Sequence, residues 1–298
     1  AKDVKVSAQD KQAVLRKRVV TMTGEYQRRN YTVHDLIQHK GSGPLVQTLV
    51  FTPEEATAAE TAGLDMINIR WNPSRPEDGL ALRHAAAETF MTFCMAPTLV
   101  ASEAEALRAA FTAMEAGADS IYCAWSLSYI EALSGAGVPV MGHVGLVPRK
   151  STWTGGLRAV GKTLAQAKSM HADLKSLENA GAWAVECEVI PSDVMGVLAR
   201  HTGLVTISLG SGSDCDVQHL FAEDILGVTD TVVPRHAKSY RNLFGAYQKL
   251  QGERVEAFEE YAQDVRSGVF PTSDHLVQAD SGIVFELENL ITHDLSKP

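Results

Sequence analysis

Long apolar runs, clusters of basic residues and closely spaced cysteines are all missing from this 298-residue sequence. No apolar run approaches the roughly 18–20 residues that a membrane span requires, so we expect no membrane partner. The formal net charge of −9 at pH 7 argues against nucleic acid as a partner, because phosphate binding needs clustered Lys and Arg. Four cysteines in a chain of this length do not make a disulfide scaffold.

Signals for export and for two common cofactors are also missing. The N-terminal sequence AKDVKVSAQDKQ has no signal-peptide core, so we expect a reducing, cytoplasmic location. No GxGxxG follows the first apolar run, which leaves a dinucleotide-binding fold with little support. Thiolates and an imidazole suit zinc, but Cys94, Cys123 and Cys187 lack the CxxC spacing that would make a zinc site with His143 a strong prediction.

Short apolar runs alternate with helical patterns from Leu45 onward. The runs with strand character are Leu45–Phe51, Met66–Arg70, Met91–Ala96, Ser120–Ala124, Val138–Val144, Ala184–Val189 and Val205–Leu209, with an eighth near His219–Phe221. Repeated strand-then-helix units predict parallel strands joined by right-handed crossovers. Eight strands favour a closed α/β (β/α)8 TIM barrel over an open doubly wound sheet. We expect one domain, with an N-terminal arm and helix over 1–43, the barrel over 44–230, and C-terminal capping helices and a tail over 231–298.

Two glutamates lie in the strand-like run from Ala184. Alternation along a strand places Glu186 and Glu188 on one face. Two carboxylates inside a barrel repel each other, so at least one of them should have a raised pKa. In a TIM barrel the active site lies at the C-terminal ends of the strands. A glutamate at that end can remove a proton beside a carbonyl, and Glu188 is the better placed; the alternative is that both pair with Arg or Lys.

His143 and a glycine-rich turn follow two other strand-like runs. His143 comes just after the apolar run Val138–Met141 and precedes a long loop with Gly and Pro, which is uncommon unless the loop lines or covers a site. Gly210-Ser211-Gly212 follows the Val205 run, and such a turn can hold an anion with its backbone N–H groups. A purely structural role is the alternative for the histidine and for the turn.

Several segments together resemble one enzyme family. The run VMGHVGLVPRKSTWTGGLRAVGKT, with His143, resembles the signature loop of ketopantoate hydroxymethyltransferase, which adds a one-carbon unit to 2-oxoisovalerate. ETAGLDMI, AMEAGADSI and GAWAVECEVIP resemble further segments of that family, and the last of these places its proposed base at Glu188. The resemblance implies a (β/α)8 barrel, carbon–carbon bond chemistry on a 2-oxo acid, a possible folate one-carbon donor and a homo-oligomer, often a decamer.

The sequence lacks the metal-binding carboxylates that the same resemblance implies. The family holds its substrate on magnesium with carboxylates, and Mg²⁺ requires hard oxygen ligands. The matching positions of this sequence are Thr52, Arg70-Trp71-Asn72, Met95 and Ala124. Because all of these carboxylates have vanished together, we expect no metal, and we expect that the pocket has been rebuilt for another ligand or freed from catalysis.

Arg70 and its neighbours are candidates for substrate binding in place of the metal. A guanidinium at a strand end can bind a carboxylate through two hydrogen bonds. Trp71 and Trp125 would add flat apolar walls, and Asn72 lies beside them in sequence. The alternative is that the two indoles simply fill the space that metal and substrate occupied.

Two hypotheses follow. The first is a metal-independent aldol, retro-aldol or hydroxymethyl-transfer enzyme for a small carboxylate substrate, with Glu188 as the base and His143 orienting the carbonyl. Arg70 and the Gly210–Ser213 turn would bind the anionic oxygens. The second is an inactive paralogue that serves as a binding or assembly subunit, although the presence of both His143 and Glu188 argues against it.

Overall fold

The computed structural model describes residues 18–294. The described chain divides into two compact units, one ending at Asn242 and the other beginning at Leu243. The first unit contains the barrel, and the second contains two helices. Residues 1–17 of the predicted arm and residues 295–298 of the predicted tail lie outside the described residues, and the prediction of a single domain stays a prediction.

Eight parallel strands close into a barrel, which confirms the predicted (β/α)8 fold. An antiparallel hairpin of β1 (Arg18–Val20) and β2 (Tyr26–Arg28) precedes it. The barrel strands are β3 (Leu45–Val50), β4 (Met66–Trp71), β5 (Phe90–Met95), β6 (Ser120–Tyr122), β7 (Val140–Gly145), β8 (Ala184–Glu188), β9 (Val205–Leu209) and β10 (Val217–Phe221). They follow one another in sequence order around the barrel, and β10 closes it by pairing with both β9 and β3.

Helices lie between the strands and follow the last of them. In the first unit they are α1 (Val33–His39), α2 (Pro53–Thr61), α3 (Pro76–Ala85), α4 (Glu103–Glu115), α5 (Leu127–Gly135), α6 (Ser151–Thr154), α7 (Leu164–Asn179), α8 (Ser192–Arg200) and α9 (Ala222–Leu226). In the second unit they are α10 (Leu243–Ser267) and α11 (Ser281–Asp294). Short 3-10 turns cover Pro97–Leu99, Pro148–Lys150 and Ser273–His275.

Local sequence explains where the barrel helices begin. The side chains of Thr52, Ser102 and Thr163 each accept a hydrogen bond from a backbone N–H of the first turn of α2, α4 and α7. These N-caps satisfy donors that have no partner inside the helix. Each cap therefore fixes the residue at which its helix in the outer layer begins.

Apolar side chains fill the N-terminal half of the barrel interior. Leu45, Met66, Phe90, Met141 and Ala184 belong to one buried cluster with residues of β9 and β10. The opposite faces of the strands pack under the helices in a second and larger cluster, to which Val185 and Cys187 belong. Polar inward-facing residues are therefore left to the C-terminal half of the barrel, where an active site of this fold lies.

Candidate active site

A cavity of about 300 Å³ opens at the C-terminal ends of the barrel strands. Its inner wall combines acidic, basic and apolar side chains from several strands. The strand residues at this wall are Leu49, Asn68, Arg70, Cys94, Tyr122, His143, Glu186, Glu188, His219 and Phe221. The loop after β7 adds Val147, Pro148 and Arg149, and the connections after β5 and β6 add Ala96, Pro97 and Trp125, so strand ends and loops together enclose the site.

Glu186 and Glu188 reach this cavity from β8. Both are buried, with 7% and 8% of their surface exposed, while Val185 and Cys187 point to the opposite, helix-covered face. Strand alternation above the inward-facing Ala184 explains this arrangement. The predicted pair of inward carboxylates is present. Among the described residues, the glutamates form their close contacts with His143 and His219 and form no ion pair with an arginine or a lysine.

His143 lies between the two glutamates. Its Nδ1 is 3.5 Å from a carboxylate oxygen of Glu186, and its Nε2 is 3.4 Å from one of Glu188. Nε2–H donates to the main-chain oxygen of Leu146 at 2.8 Å, and a carbonyl oxygen can only accept. Nδ1 therefore accepts from the Tyr122 hydroxyl, 2.5 Å away. The imidazole is thus held as one neutral tautomer.

Backbone geometry at the ends of β7 and β8 fixes this contact. Gly145 has φ of 90°, and a Cβ there would collide with the main-chain oxygen of Glu188. The close approach lets the Leu146 N–H donate to that same oxygen at 2.8 Å. Val189, which follows Glu188, has φ of 48°, a strained value for a β-branched residue. Strain of this kind persists where surrounding structure enforces it and clusters at functional sites.

Burial controls the ionisation of the site. It raises the pKa of Glu186 to about 7, and together with the charge of Glu186 it raises the pKa of Glu188 to about 8. Burial lowers the pKa of both His143 and His219 to about 4, so both imidazoles are neutral at pH 7. Burial also raises the pKa of the Tyr122 hydroxyl well above its ordinary value. A carboxyl group in the pair can therefore carry a proton at neutral pH.

Two guanidinium groups stand at the mouth of the cavity. Arg70 is exposed at the end of β4, and its guanidinium carbon lies 5.0 Å from the centre of the Phe51 ring. Arg149 reaches the cavity from the loop after β7 and is also exposed. Positive charge at the rim and carboxyl groups within suit an anionic ligand whose reactive carbon points inward.

The other predicted substrate-binding residues, Trp71, Asn72 and Trp125, lie partly at the cavity and partly outside it. Trp71 is at the edge of the cavity, but its indole N–H donates to the Ala109 carbonyl at 3.2 Å and its ring packs against Phe93. Asn72 is exposed and accepts from the Ser74 N–H. Trp125 lines the cavity, and its main-chain oxygen accepts from Lys150. Trp71 thus packs mainly against the helical layer, and its role in substrate binding stays a prediction.

The Gly210-Ser211-Gly212 turn braces β8 from the side. The Ser211 hydroxyl donates to the Cys187 carbonyl at 2.7 Å and accepts from the Ile190 N–H. The Gly212 carbonyl accepts from Ser208 and Gln218. The turn is not among the residues that line the cavity, so the structure places it beside β8 and outside the cavity. Its role in substrate binding stays a prediction.

Tyr122, His219, Cys94 and Arg149 were missed by the sequence analysis. Tyr122 touches His143, and the His219 Nε2 lies 3.9 Å from a carboxylate oxygen of Glu186. The signal that was available is strand alternation: each strand residue of this group occupies an inward position near the end of its strand.

The residues present do not reproduce the carboxylate set that the resemblance implies for magnesium. Trp71, Met95 and Ala124 offer no oxygen ligand. Within residues 18–294, His143, Glu186 and Glu188 are the group whose ligand atoms lie close enough to share a cation, within 4.8 Å of one another. Both nitrogens of His143 are already hydrogen-bonded to protein, and the raised pKa values of the two carboxyl groups, about 7 and about 8, let a proton compete with a cation at neutral pH.

The described residues contain no helix that is both long enough and apolar enough to cross a membrane.

Comparison with known proteins identifies the family. A family model described as ketopantoate hydroxymethyltransferase matches residues 79–273. The 3-methyl-2-oxobutanoate hydroxymethyltransferase of Pyrobaculum islandicum is 31% identical over 273 residues, covering 83% of this chain and 98% of that protein. The enzyme of the same name from Dehalococcoides mccartyi strain CBDB1 is 33% identical over 205 residues, covering 68% and 69%.

Two further comparisons extend this result. The 3-methyl-2-oxobutanoate hydroxymethyltransferase of Oleidesulfovibrio alaskensis is 39% identical over 146 residues, which is 49% of this chain and 48% of that protein. A solved structure from Burkholderia cenocepacia J2315 superposes with a TM-score of 0.51 at 12% identity, covering 78% of this chain and 96% of that one, a likeness of fold alone. From the family match and the long alignment with the Pyrobaculum enzyme, we conclude that the chain belongs to the ketopantoate hydroxymethyltransferase family.

Proposed function

We propose that this chain is a metal-independent enzyme that forms or breaks a carbon–carbon bond beside the carbonyl of a 2-oxo acid. The reaction is of the aldol, retro-aldol or hydroxymethyl-transfer kind, on a substrate changed from that of its relatives. The observation that carries the proposal is the contact of His143 with both Glu186 and Glu188 inside the cavity at the barrel mouth.

Glu188 is the general base. It lines the cavity at the end of β8, and a carboxylate there can accept the proton from the carbon next to the substrate carbonyl. Its raised pKa brings its basicity close to neutral pH, where a general base works best. One positioned base contributes about 10²–10⁴ in rate. The enol that forms then attacks, or is released from, the carbon that is exchanged.

His143 positions the reacting groups. Its Nε2–H is committed to the Leu146 carbonyl and its Nδ1 to the Tyr122 hydroxyl. With both nitrogens occupied, it cannot donate to the substrate carbonyl unless one of these bonds breaks. We therefore replace the orienting role that the sequence suggested with a positioning role between β6, β7 and β8.

The mouth of the cavity favours a small carboxylate. Arg70 and Arg149 can bind the carboxylate of the substrate, and a charged hydrogen bond of this kind contributes about 1.5–3 kcal/mol. Leu49, Pro97 and Phe221 supply apolar wall for a short side chain. The loss of all the family's metal-binding carboxylates supports a changed substrate, because the carboxylate must now be held by cations of the protein.

An inactive binding or assembly subunit is the alternative, and two observations weigh against it. Burying two carboxyl groups beside each other costs free energy that apolar residues in their place would not. The strained backbone at Val189 adds a further cost of about 1–3 kcal/mol. A chain freed from catalysis gains stability by losing both features, and both are present in this chain.

We further propose that the protein works as a homo-oligomer. The helix α10 has no buried residue, and it exposes the large side chains of Tyr247, Phe258 and Tyr261. Apolar surface of this kind favours protein–protein contact. Light scattering after size-exclusion chromatography would give the assembly mass, and a monomer at micromolar concentration would contradict this part of the proposal. The use of a folate as the one-carbon donor, which the family resemblance implies, is a separate prediction and stays one.

The test is exchange of the protons next to the carbonyl of 2-oxo acids. The protein is incubated with a panel of 2-oxo acids in deuterium oxide, and loss of the proton signal is followed by NMR. We expect exchange with at least one acid, and its loss in Glu188→Gln. Glu131→Gln, which changes an exposed glutamate on α5, is the matched control. No exchange with any acid by a folded protein would favour the inactive alternative.

A further inference from the structure

Glu186 is placed to act with Glu188. Its side chain lines the same cavity, is almost fully buried and contacts two imidazoles, at 3.5 Å from His143 and 3.9 Å from His219. One carboxylate oxygen from each glutamate and one nitrogen of His143 all lie within 4.8 Å of one another. The two carboxyl groups are thus close enough to interact electrostatically, and they face the same cavity.

Nothing that faces this pair within the barrel can balance two negative charges. The facing titratable groups are Arg70 on β4, Cys94 on β5, Tyr122 on β6, His143 on β7 and His219 on β10, with Arg149 on the loop. Both imidazoles are neutral at pH 7, and the thiol and phenol carry no positive charge in any state. Both guanidinium groups are exposed at the mouth, where water screens them. Two carboxyl groups this close in a buried site do not both ionise, because the two negative charges would repel each other.

We propose that Glu186 and Glu188 share one proton, and that the protonated member donates a hydrogen bond to the substrate oxygen in place of the metal ion that the family resemblance implies. This rests on the proposed function and adds Glu186 to it as a proton donor. A carboxylic acid kept neutral by burial can donate a strong hydrogen bond to a developing oxyanion.

The step balances within the pair. The reactive arrangement is the one with the shared proton on Glu186. The carboxylate of Glu188 then takes the proton from the carbon next to the carbonyl, and the electrons of that C–H bond form the C=C bond of the enol. The carbonyl oxygen takes the proton from Glu186. The pair holds one proton before the step and one after it, on the other glutamate, so the reverse reaction needs no proton from water.

Titration of the glutamates tests the shared proton without any substrate. Protein labelled with ¹³C at the glutamate side-chain carboxyl is titrated by NMR, and Glu186→Gln and Glu188→Gln assign the two signals. We expect two glutamates that stay protonated well above the usual range, and a lower midpoint for Glu188 in Glu186→Gln. If both glutamates are already ionised at pH 6 in the wild-type protein, the proposal is overturned. This result needs no variant, so it holds even if a variant fails to fold. An unchanged Glu188 midpoint in folded Glu186→Gln would also overturn it.

Proton exchange of the 2-oxo acid tests the donation. Glu186→Leu should slow exchange about 10²–10³-fold, the loss typical of one oxyanion donor, and Glu186→Gln should lose less because its amide still donates. Equal rates in wild type and Glu186→Leu would overturn the donation. If wild type shows no exchange at all, the proposed function fails and the donation with it, whereas the titration still decides whether the proton is shared.

Discussion

His143 Nε2 lies 3.4 Å from Glu188 Oε2, yet its hydrogen bond goes to the Leu146 carbonyl at 2.8 Å. The Leu146 N–H in turn donates to the Glu188 carbonyl. The imidazole and the glutamate are therefore held together through the backbone of the β7 end, without an ion pair between them. This linkage keeps the carboxyl group of Glu188 free for substrate. Changes to the residues that form it should alter both the free energy of unfolding and the rate of proton exchange.

Tyr122→Phe removes the hydroxyl that donates to His143 Nδ1. A buried acceptor without a partner costs about 1–3 kcal/mol, so the free energy of unfolding should fall by that amount. The imidazole loses one of its two anchors, and exchange of 2-oxo acid protons should slow by roughly 10–100-fold. Urea unfolding and the exchange assay measure the two effects, with the exposed Tyr26→Phe as control. A variant as active and stable as wild type would show that the hydroxyl positions nothing.

Gly145→Ala places a methyl group against the Glu188 carbonyl at a position with φ of 90°. We expect the free energy of unfolding to fall by at least about 2 kcal/mol, because left-handed strain and the collision act together. Gly135→Ala is the matched control, since it lies in α5 with nothing within 4 Å of the added methyl group. That change should be neutral or stabilise by about 0.5–1 kcal/mol. Equal effects in urea unfolding would contradict the close approach of β7 and β8.

Stability should fall as the pH rises from 6.5 to 8. The glutamates have pKa values of about 7 and about 8 in the fold against 4.5 ordinarily, so the folded state binds more protons than the unfolded state in this range. Below pH 6.5, His143 and His219 act in the opposite sense, because burial lowers their pKa to about 4. We expect a loss on the order of 2 kcal/mol in the free energy of unfolding between pH 6.5 and 8.

Denaturant unfolding at several pH values measures this slope. The double variant Glu186→Gln/Glu188→Gln should flatten it, since neither amide titrates. A wild-type stability that rises over the same range would mean that the two carboxyl groups ionise easily in the fold.

Arg70→Gln removes a guanidinium at the cavity mouth. If Arg70 binds the substrate carboxylate, the concentration for half-maximal exchange should rise by roughly 10–100-fold, while the maximal rate changes little. The exposed Arg75, which pairs with Asp78 at the protein surface, gives the control Arg75→Gln. A drop in maximal rate with unchanged half-saturation would assign Arg70 to the chemical step.

The barrel and the pair of inward glutamates were predictable from sequence because both depend on local pattern. Strand-then-helix alternation sets the fold, and alternation within β8 places Glu186 and Glu188 on one face. The same rule, applied to β4, separates Arg70 from Trp71: the arginine lines the cavity and the indole bonds to Ala109 under the helices. Trp71 still reaches the edge of the cavity, so its place in substrate binding stays a prediction.

The partners of His143 were not predictable in the same way. Tyr122 reaches its Nδ1 from β6, and that contact depends on the register between strands, which single-strand pattern does not show. The glycine-rich turn after β9 resembles an anion site in sequence, but its polar groups bond to β9 and to β8. Whether a polar turn binds a ligand or braces a strand depends on contacts distant in sequence.

Metal dependence of proton exchange tests the central claim most directly. The protein is dialysed against EDTA, and exchange of its best 2-oxo acid is measured before and after addition of Mg²⁺. We predict the same rate in both conditions, abolished by Glu188→Gln and retained by Glu131→Gln. Exchange that disappears with EDTA and returns with Mg²⁺ would contradict the account, because it would show that a cation, and not a protonated glutamate, stabilises the substrate oxygen.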